Sequence, residues 1–235
     1  YGATWEENVY GCTDPLATNY NSNANWDDGS CTYPDNGDYS LSFDGEDDYV
    51  DIDNFGQDFQ DEISITAWVN VLDNGWSLIH RRNQNAVDFV FDVNTDNHLY
   101  LHLGSLGDID GNITISNNEW TYVSMTYDGQ TVKIYVDGVL DNQMSASGNI
   151  GMNSSTLMLG KYTYYGGLTH YFFYNGLMDD IAIWNSSLTQ EEIQSYMTTP
   201  PTGNEEGLAG YWKFNAGEGS TLYDHSGNQN HGTIN

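Results

Sequence analysis

Residues 119–140 read EWTYVSMTYDGQTVKIYVDGVL. Two β-rich runs, WTYVSMTY and TVKIYV, are each followed by an Asp-Gly pair, Asp128-Gly129 and Asp137-Gly138. Asp-Gly supplies the positive φ that a two-residue hairpin turn requires, so this stretch predicts an antiparallel meander. The same signal extends both ways. Upstream, Ile63, Ile65, Ala67, Val69 and Val71 alternate strictly, with Trp68 on the opposite face; Val87, Phe89, Phe91 and Val93 follow, then Leu99, Leu101 and Leu103. A period of two puts each set on one face of a half-buried strand. Downstream, TLMLG and LMDDIAIW supply later strands. LTQEEIQSYM (188–197) alone reads as a helix: Thr189 caps it, Glu192 lies three positions on, and Pro200 and Pro201 stop it. Many short strands with regular turns imply an all-β, two-sheet sandwich. An immunoglobulin-like sandwich would carry its cysteine pair inside the strands, and both cysteines here lie upstream of them, so a jelly roll is predicted.

Composition narrows the function. Asp and Glu total 34 against 5 Lys and Arg, a formal charge of −29. Such a field repels phosphate backbones and anionic lipid, which argues against nucleic-acid and membrane partners, and it attracts cations such as Ca²⁺. The abundance of Asn, Asp, Gly, Ser, Thr and Tyr is that of turn-rich β proteins outside the cell. The two cysteines, Cys12 and Cys31, enclose a polar loop and predict a disulfide and an oxidising compartment. No apolar run is long enough to cross a membrane, and a mature or excised extracellular piece is expected. Asn112, Asn153 and Asn185 lie in glycosylation sequons.

The chain divides into a lead-in (1–10), a compact module (11–33), a turn-type linker PDNGD (34–38) and the strand region (39–235). The module, GCTDPLATNYNSNANWDDGSCTY, has almost no apolar periodicity, so the Cys12–Cys31 link is its expected clamp.

Four phrases carry a family resemblance: LSFDGEDDYVDI (41–52), ISITAWVNV (63–71), residues 119–140, and NGLMDDIAIWNSSLTQEEI (175–193). In order and spacing they resemble LamG-like domains of the concanavalin A-like lectin/glucanase group. The C-terminal GLAGYWKFNAGEGSTLYDHSGNQNHGTIN (207–235) resembles that family's opening strands, and the N-terminal YGATW resembles their continuation. Either the chain closes on itself, or the ends join neighbouring copies by strand exchange. The phrase GCTDPxAxNYN…DDGSC separately resembles a cysteine repeat of secreted marine-bacterial proteins.

The resemblance implies a structural Ca²⁺ held between the turn at Asp44, Glu46 and Asp48 and the Asp179-Asp180 pair. Oxygen ligands on a sharp Gly-containing turn suit that hard cation; the alternative is that these carboxylates only cap turns and backbone N–H groups. In the module, Asp14, Asn19, Asn21, Asp27 and Asp28 pose the same choice between a second Ca²⁺ and Asx-turns. Asp108, Asp110 and Asn112 in GDIDGN pose a third such choice, but without the distant bidentate Glu of an EF-hand a plain turn is the preferred reading. The acidic strand motif of glucanases on this sandwich is absent, as are the Gln-x-His strand of alginate lyases and any zinc-type histidine pair, so an enzyme is not expected.

Aromatic rings are the expected means of holding sugars. The segment GKYTYYGGLTHYFFYNG (160–176) offers Tyr162, Tyr164, Tyr165 and His170, and Trp76 with Arg81 in the His80-Arg81-Arg82 step forms a second edge. The competing reading makes Tyr171, Phe172 and Phe173 strand residues that pack the sandwich. The leading functional expectation is a non-catalytic, Ca²⁺-binding recognition or adhesion module for a polysaccharide or glycoprotein surface. A head-to-tail structural repeat is the alternative, and a divergent lyase or hydrolase the least favoured.

Overall fold

The computed structural model describes residues 5–53, 55–56, 59, 61–73, 76–82, 87–150, 156–166 and 168–235, without the side chains of residues 165, 166 and 168. The predicted meander is present: Trp120–Tyr127 pairs antiparallel with Thr131–Val136, which pairs with Val139–Ser145. Asp137 and Gly138 adopt φ of 49° and 68°, the double positive φ of a hairpin turn matched to strand twist. Trp120–Tyr127 continues onto Ile63–Asp73, and this onto Asn175–Trp184. Leu41–Asp44 and Leu208–Trp212 share the far side of Asn175–Trp184 and complete a seven-stranded sheet. The facing eight-stranded sheet runs Thr221–Leu222, Gly232–Ile234, Val50–Ile52, Leu157–Leu159, Ile79–Arg82, Val87–Val93, Leu99–Leu103 and Gly107–Asp110.

The alternation seen in the sequence becomes the core. Ile63, Ile65, Ala67, Val69 and Val71 from one sheet meet Phe89, Phe91, Val93, Leu99, Leu101 and Leu103 from the other, all almost fully buried. Asp108 and Asp110 are not in a plain turn. Ile109 is buried between them and Gly107–Asp110 forms an edge strand, which turns both carboxylates outward. At this side the sandwich is stitched by side chains: Asn142 Nδ2 donates to the Asp110 carbonyl (2.8 Å), and Asp141 Oδ1 accepts the Asn112 and Ile113 N–H groups (2.7 and 2.9 Å).

The C-terminal segment enters both sheets of its own chain, with Ile234 opposite Val50 and Trp212 opposite Ile181. The outer edge of Leu208–Trp212 is also occupied. Tyr211 N–H donates to Asp224 Oδ1, His225 N–H to the Tyr211 carbonyl, and the Asn228 and Asn230 amides to the Leu208 and Ala209 carbonyls. An edge whose backbone groups are satisfied offers no template to another strand. Residues 7–10 lie instead on the cysteine module, where Val9 N–H donates to Asn25 Oδ1 (2.8 Å) and Tyr10–Gly11 pairs parallel with Trp26–Asp27.

The helix spans Gln190–Tyr196 with the expected capping box, in which Thr189 and Glu192 exchange hydrogen bonds. It covers the outer face of the seven-stranded sheet and makes a second core of Trp184, Ile193, Tyr122, Tyr135, Leu208 and Tyr211. The module is clamped by a Cys12–Cys31 disulfide. It docks on the C-terminal segment through Asp14, whose Oδ2 accepts from Tyr33 OH (2.7 Å) and His231 Nε2 (2.6 Å), with Tyr33 stacked on Tyr223. His231 Nδ1 accepts the Asp224 N–H (3.0 Å), so both ring nitrogens are used by the neutral tautomer.

Candidate functional site

Strand alternation that sends apolar residues inward from Val87–Val93 and Leu99–Leu103 sends Val90, Asp92, Tyr100 and His102 outward. Together with Val87, Asn94 and Asp110 they floor a groove on the open face of the eight-stranded sheet, and Trp76 and Tyr162 wall it. Its volume is about 410 Å³, within the range of small-molecule and oligosaccharide sites.

The wall comes from the antiparallel hairpin of Lys161–Gly166 and Leu168–Phe173. Tyr162 pairs with Phe172 and Tyr164 with His170, so these four side chains share one face. Phe172 stacks on Trp76 (centroids 6.3 Å apart) and contacts Tyr162 (6.2 Å), forming a continuous aromatic rim. Phe172 and Tyr171 are 46% and 54% exposed, so neither packs the sandwich interior. Ser77 Oγ ties the hairpin to the sheet through the Phe172 carbonyl (2.9 Å), and Tyr162 lies edge-on to His80 and 4.7 Å from the Arg82 guanidinium.

Below the rim, Asp92 Oδ1 accepts the Ser77 and Leu78 N–H groups (2.9 and 2.8 Å) and meets His80 Nε2 at 2.6 Å. The carboxylate thereby holds Ser77 at φ 81° and positions Trp76 beside it. At the other end Asp108 Oδ1 meets His102 Nδ1 at 2.5 Å and also bonds Tyr100. Burial and the Asp108 charge push the Tyr100 hydroxyl up to about 12, so it stays protonated. Asn94 Nδ2 donates to Asp110 Oδ1 (3.2 Å).

The ligand residues expected from sequence separate here. Trp76 and Tyr162 line the groove; Tyr164 and His170 extend the hairpin face away from it; the Tyr165 side chain lies outside the described residues, as does Asn153. Arg81 is a correction. Its strand position turns it inward, where it is buried, paired with Asp88 (3.3 Å) and packed on Phe55 and Phe59. As groove residues, Asp92, Asn94, Tyr100, His102 and Asp110 are new to the structure, although Asp92, Tyr100 and His102 are the polar residues interleaved in VDFVFDV and LYLHL.

The acidic groups expected to share one cation fall in two places. Asp44, Asp47 and Asp48 bring carboxylate oxygens within 4.8 Å of one another, so Asp47 rather than Glu46 completes the turn. Asp44 pairs across from Asn175 at one end of its strand, whereas Asp179 and Asp180 occupy a bulge further along Asn175–Trp184, where the neighbour changes from Leu41–Asp44 to Leu208–Trp212. Asp180 sits at φ 45° and accepts from Tyr211 OH (2.6 Å). Burial and the adjoining Asp180 charge push Asp179 up to about 7. With Asp38, Trp68 and Trp120 the pair lines a shallow polar notch. In the module, Asp14 is committed to Tyr33, His231 and the Leu16 N–H; Asn21, Asp27 and Asp28 each accept the N–H two residues on, the geometry of Asx-turns, and Asn19 accepts the Thr32 N–H across the loop.

The comparisons agree with this architecture. Human pappalysin-1 is 35% identical over 83 residues, which is 34% of this chain and 5% of that protein. A candidate carbohydrate binding protein from Bacteroides ovatus superposes with a TM-score of 0.68 at 18% identity, covering 93% of this chain and 64% of that one. Domain 4 of a Geobacillus stearothermophilus extracellular arabinanase, solved with arabinotriose, gives 0.51 at 16% identity over 73% and 82% of the two chains. The chain thus spans less than two thirds of the first two proteins it matches. Residues 44–194 match the Laminin_G_3 family model, and with the two-sheet jelly roll around them the chain belongs to the concanavalin A-like lectin/glucanases superfamily.

Proposed function

We propose that this chain is a non-catalytic recognition domain that binds a glycan chain, on a polysaccharide or a glycoprotein, in the groove between Trp76 and Tyr162. One observation carries this reading: an open face of the sandwich joins an aromatic rim to Asp92, Asn94, Tyr100, His102 and Asp110. Pyranose C–H faces stack on aromatic rings while polar groups read the hydroxyls. The arabinotriose held by the arabinanase domain supports the fold's suitability for sugar.

Hydrolysis by two carboxyl groups requires both to be free to act as acid and nucleophile or base. Asp92 is held by two N–H groups and His80, and Asp108 by His102, which favours positioning over catalysis. The turn of Asp44, Asp47 and Asp48 suits Ca²⁺: its oxygens converge, with Asp44 Oδ1 and Asp48 Oδ2 also accepting backbone N–H groups. The disulfide and the absence, among the described residues, of a helix long and apolar enough to cross a membrane accord with work outside the cell. Self-association by strand exchange would first have to displace the intramolecular pairing of residues 208–234.

Binding of the whole chain to a panel of polysaccharides and glycoproteins, measured by calorimetry, tests the reading. Binding lost in both Trp76→Ala and Tyr162→Ala is expected; binding that survives both places the glycan elsewhere. Oligosaccharide release from any panel member would overturn the non-catalytic part.

A further inference from the structure

The groove's hydrogen-bonding inventory is lopsided. The donors of its floor and of the residues just behind it are turned onto carboxylates: His80 Nε2 onto Asp92, His102 Nδ1 and the Tyr100 hydroxyl onto the adjoining Asp108, and Asn94 Nδ2 onto Asp110. The Asn94 amide oxygen is also taken, by the Asp96 and His98 N–H groups (3.0 Å each). On the floor between the strands, the group left to face a ligand is carboxylate oxygen, above all on Asp110, an exposed residue whose Oδ1 accepts from a neutral amide, while the rim adds the Trp76 indole and the Tyr162 hydroxyl. A carboxylate only accepts.

No lysine or arginine balances this charge from within the lining. The chain has five such residues. Lys133 faces Asp128 and Lys213 faces Asp35 (3.8 Å each). Lys161 sits 3.5 Å from the Tyr49 ring centroid, Arg81 is inside the sandwich with Asp88, and Arg82 is buried against Tyr162. A neutral sugar hydroxyl offers one proton and needs acceptance in return. An ammonium offers three donors and no acceptor, and brings the missing charge.

Resting on the glycan-binding reading above, we propose that the groove selects oligosaccharides carrying free amino groups, a 2-amino-2-deoxy sugar whose ring stacks on Trp76 and Tyr162 while its ammonium meets Asp110. Uronate and sulfate sugars are disfavoured by the same carboxylates.

The test compares four ligands on the full chain at pH 6: a glucosamine tetramer, its fully N-acetylated form, a glucose tetramer, and tetralysine. The glucosamine tetramer is expected to bind about tenfold tighter than the N-acetylated one. The advantage should shrink in 0.5 M salt, where charge pairs at this surface are screened, and vanish in Asp110→Asn, which keeps an acceptor for Asn94. Trp76→Ala should weaken every sugar. Equal or tighter binding of the N-acetylated or glucose tetramer, still lost in Trp76→Ala, overturns the amino-sugar preference and leaves the glycan reading standing. Tetralysine binding as tightly as the glucosamine tetramer and indifferent to Trp76→Ala overturns the preference in favour of bare charge. If no sugar of this set or of the polysaccharide panel binds, both readings fall.

Discussion

The two sheets of this sandwich obey one alternation rule, yet their outer faces have opposite fates. On the seven-stranded sheet, outward residues such as Tyr122, Trp184 and Tyr211 are buried again beneath the Gln190–Tyr196 helix. On the eight-stranded sheet, outward Tyr100 and His102 stay partly exposed, with only a two-stranded hairpin walling the groove they floor. One face was sealed with apolar side chains and contributes stability. The other was left polar at its floor and aromatic at its rim, and it is the face that can meet a ligand. Phe172, Trp76 and Tyr162 support one another rather than the core, which is why the proposed glycan groove is placed at this rim.

If the closed face carries stability and the open face carries binding, mutations should separate cleanly. The largest effect is expected from removing residues 207–235, which takes Trp212 and Leu222 from the core and strands from both sheets. No cooperative melt should remain, and a truncated chain melting like the intact one would deny those strands their place. Next comes Trp184→Ala on the closed face, expected to cost about 3–5 kcal/mol in denaturant titration. Trp76→Ala, on the open face, should stay within about 0.5 kcal/mol of the parent while losing glycan binding. Similar destabilisation by both substitutions would break the contrast.

The Asp44–Asp47–Asp48 turn lies outside both faces, at the end of an edge strand. If it holds Ca²⁺, millimolar Ca²⁺ should raise the melting temperature of the chelator-treated protein by several degrees, about 1–3 kcal/mol of linkage. Asp47→Asn should reduce the gain while leaving Trp76-dependent binding in place. An identical melt with and without Ca²⁺, and no metal by elemental analysis, removes the ion.

The smallest expected effect is the pH response of Asp179, whose folded-state carboxyl is pushed up to about 7. A carboxyl that holds its proton more tightly folded than unfolded makes stability fall as pH rises from about 4 toward 7. Asp179→Asn should flatten that slope, with a gain of a few degrees at pH 8 and none at pH 4. A slope unchanged by the substitution would mean the charge is compensated in the folded chain.

Alternation and Asp-Gly pairs were local signals, and they specified the strands, the meander and the inward faces, because a period of two and a positive φ are properties of a few consecutive residues. The helix was legible for the same reason, from Thr189 and Glu192. The clamp followed from there being only two cysteines. Which outward face stays open was not legible. His80, Arg81 and Arg82 are consecutive, yet one supports the groove, one lies in the core and one stacks on Tyr162. Asp92, Tyr100, His102 and Asp110 come from three strands and meet only through sheet register. Asp14 reads locally as a turn or a cation ligand, but docking gives it His231, more than two hundred residues away. The four-residue spacing within Asp44–Asp48 could bring carboxylates together, and only the strand pairing kept them apart from Asp179 and Asp180. The sequence by itself determined the sandwich, its core and its disulfide, since these follow from patterns along the chain. Tertiary structure alone decided the site, because long-range register chooses which polar side chains become neighbours.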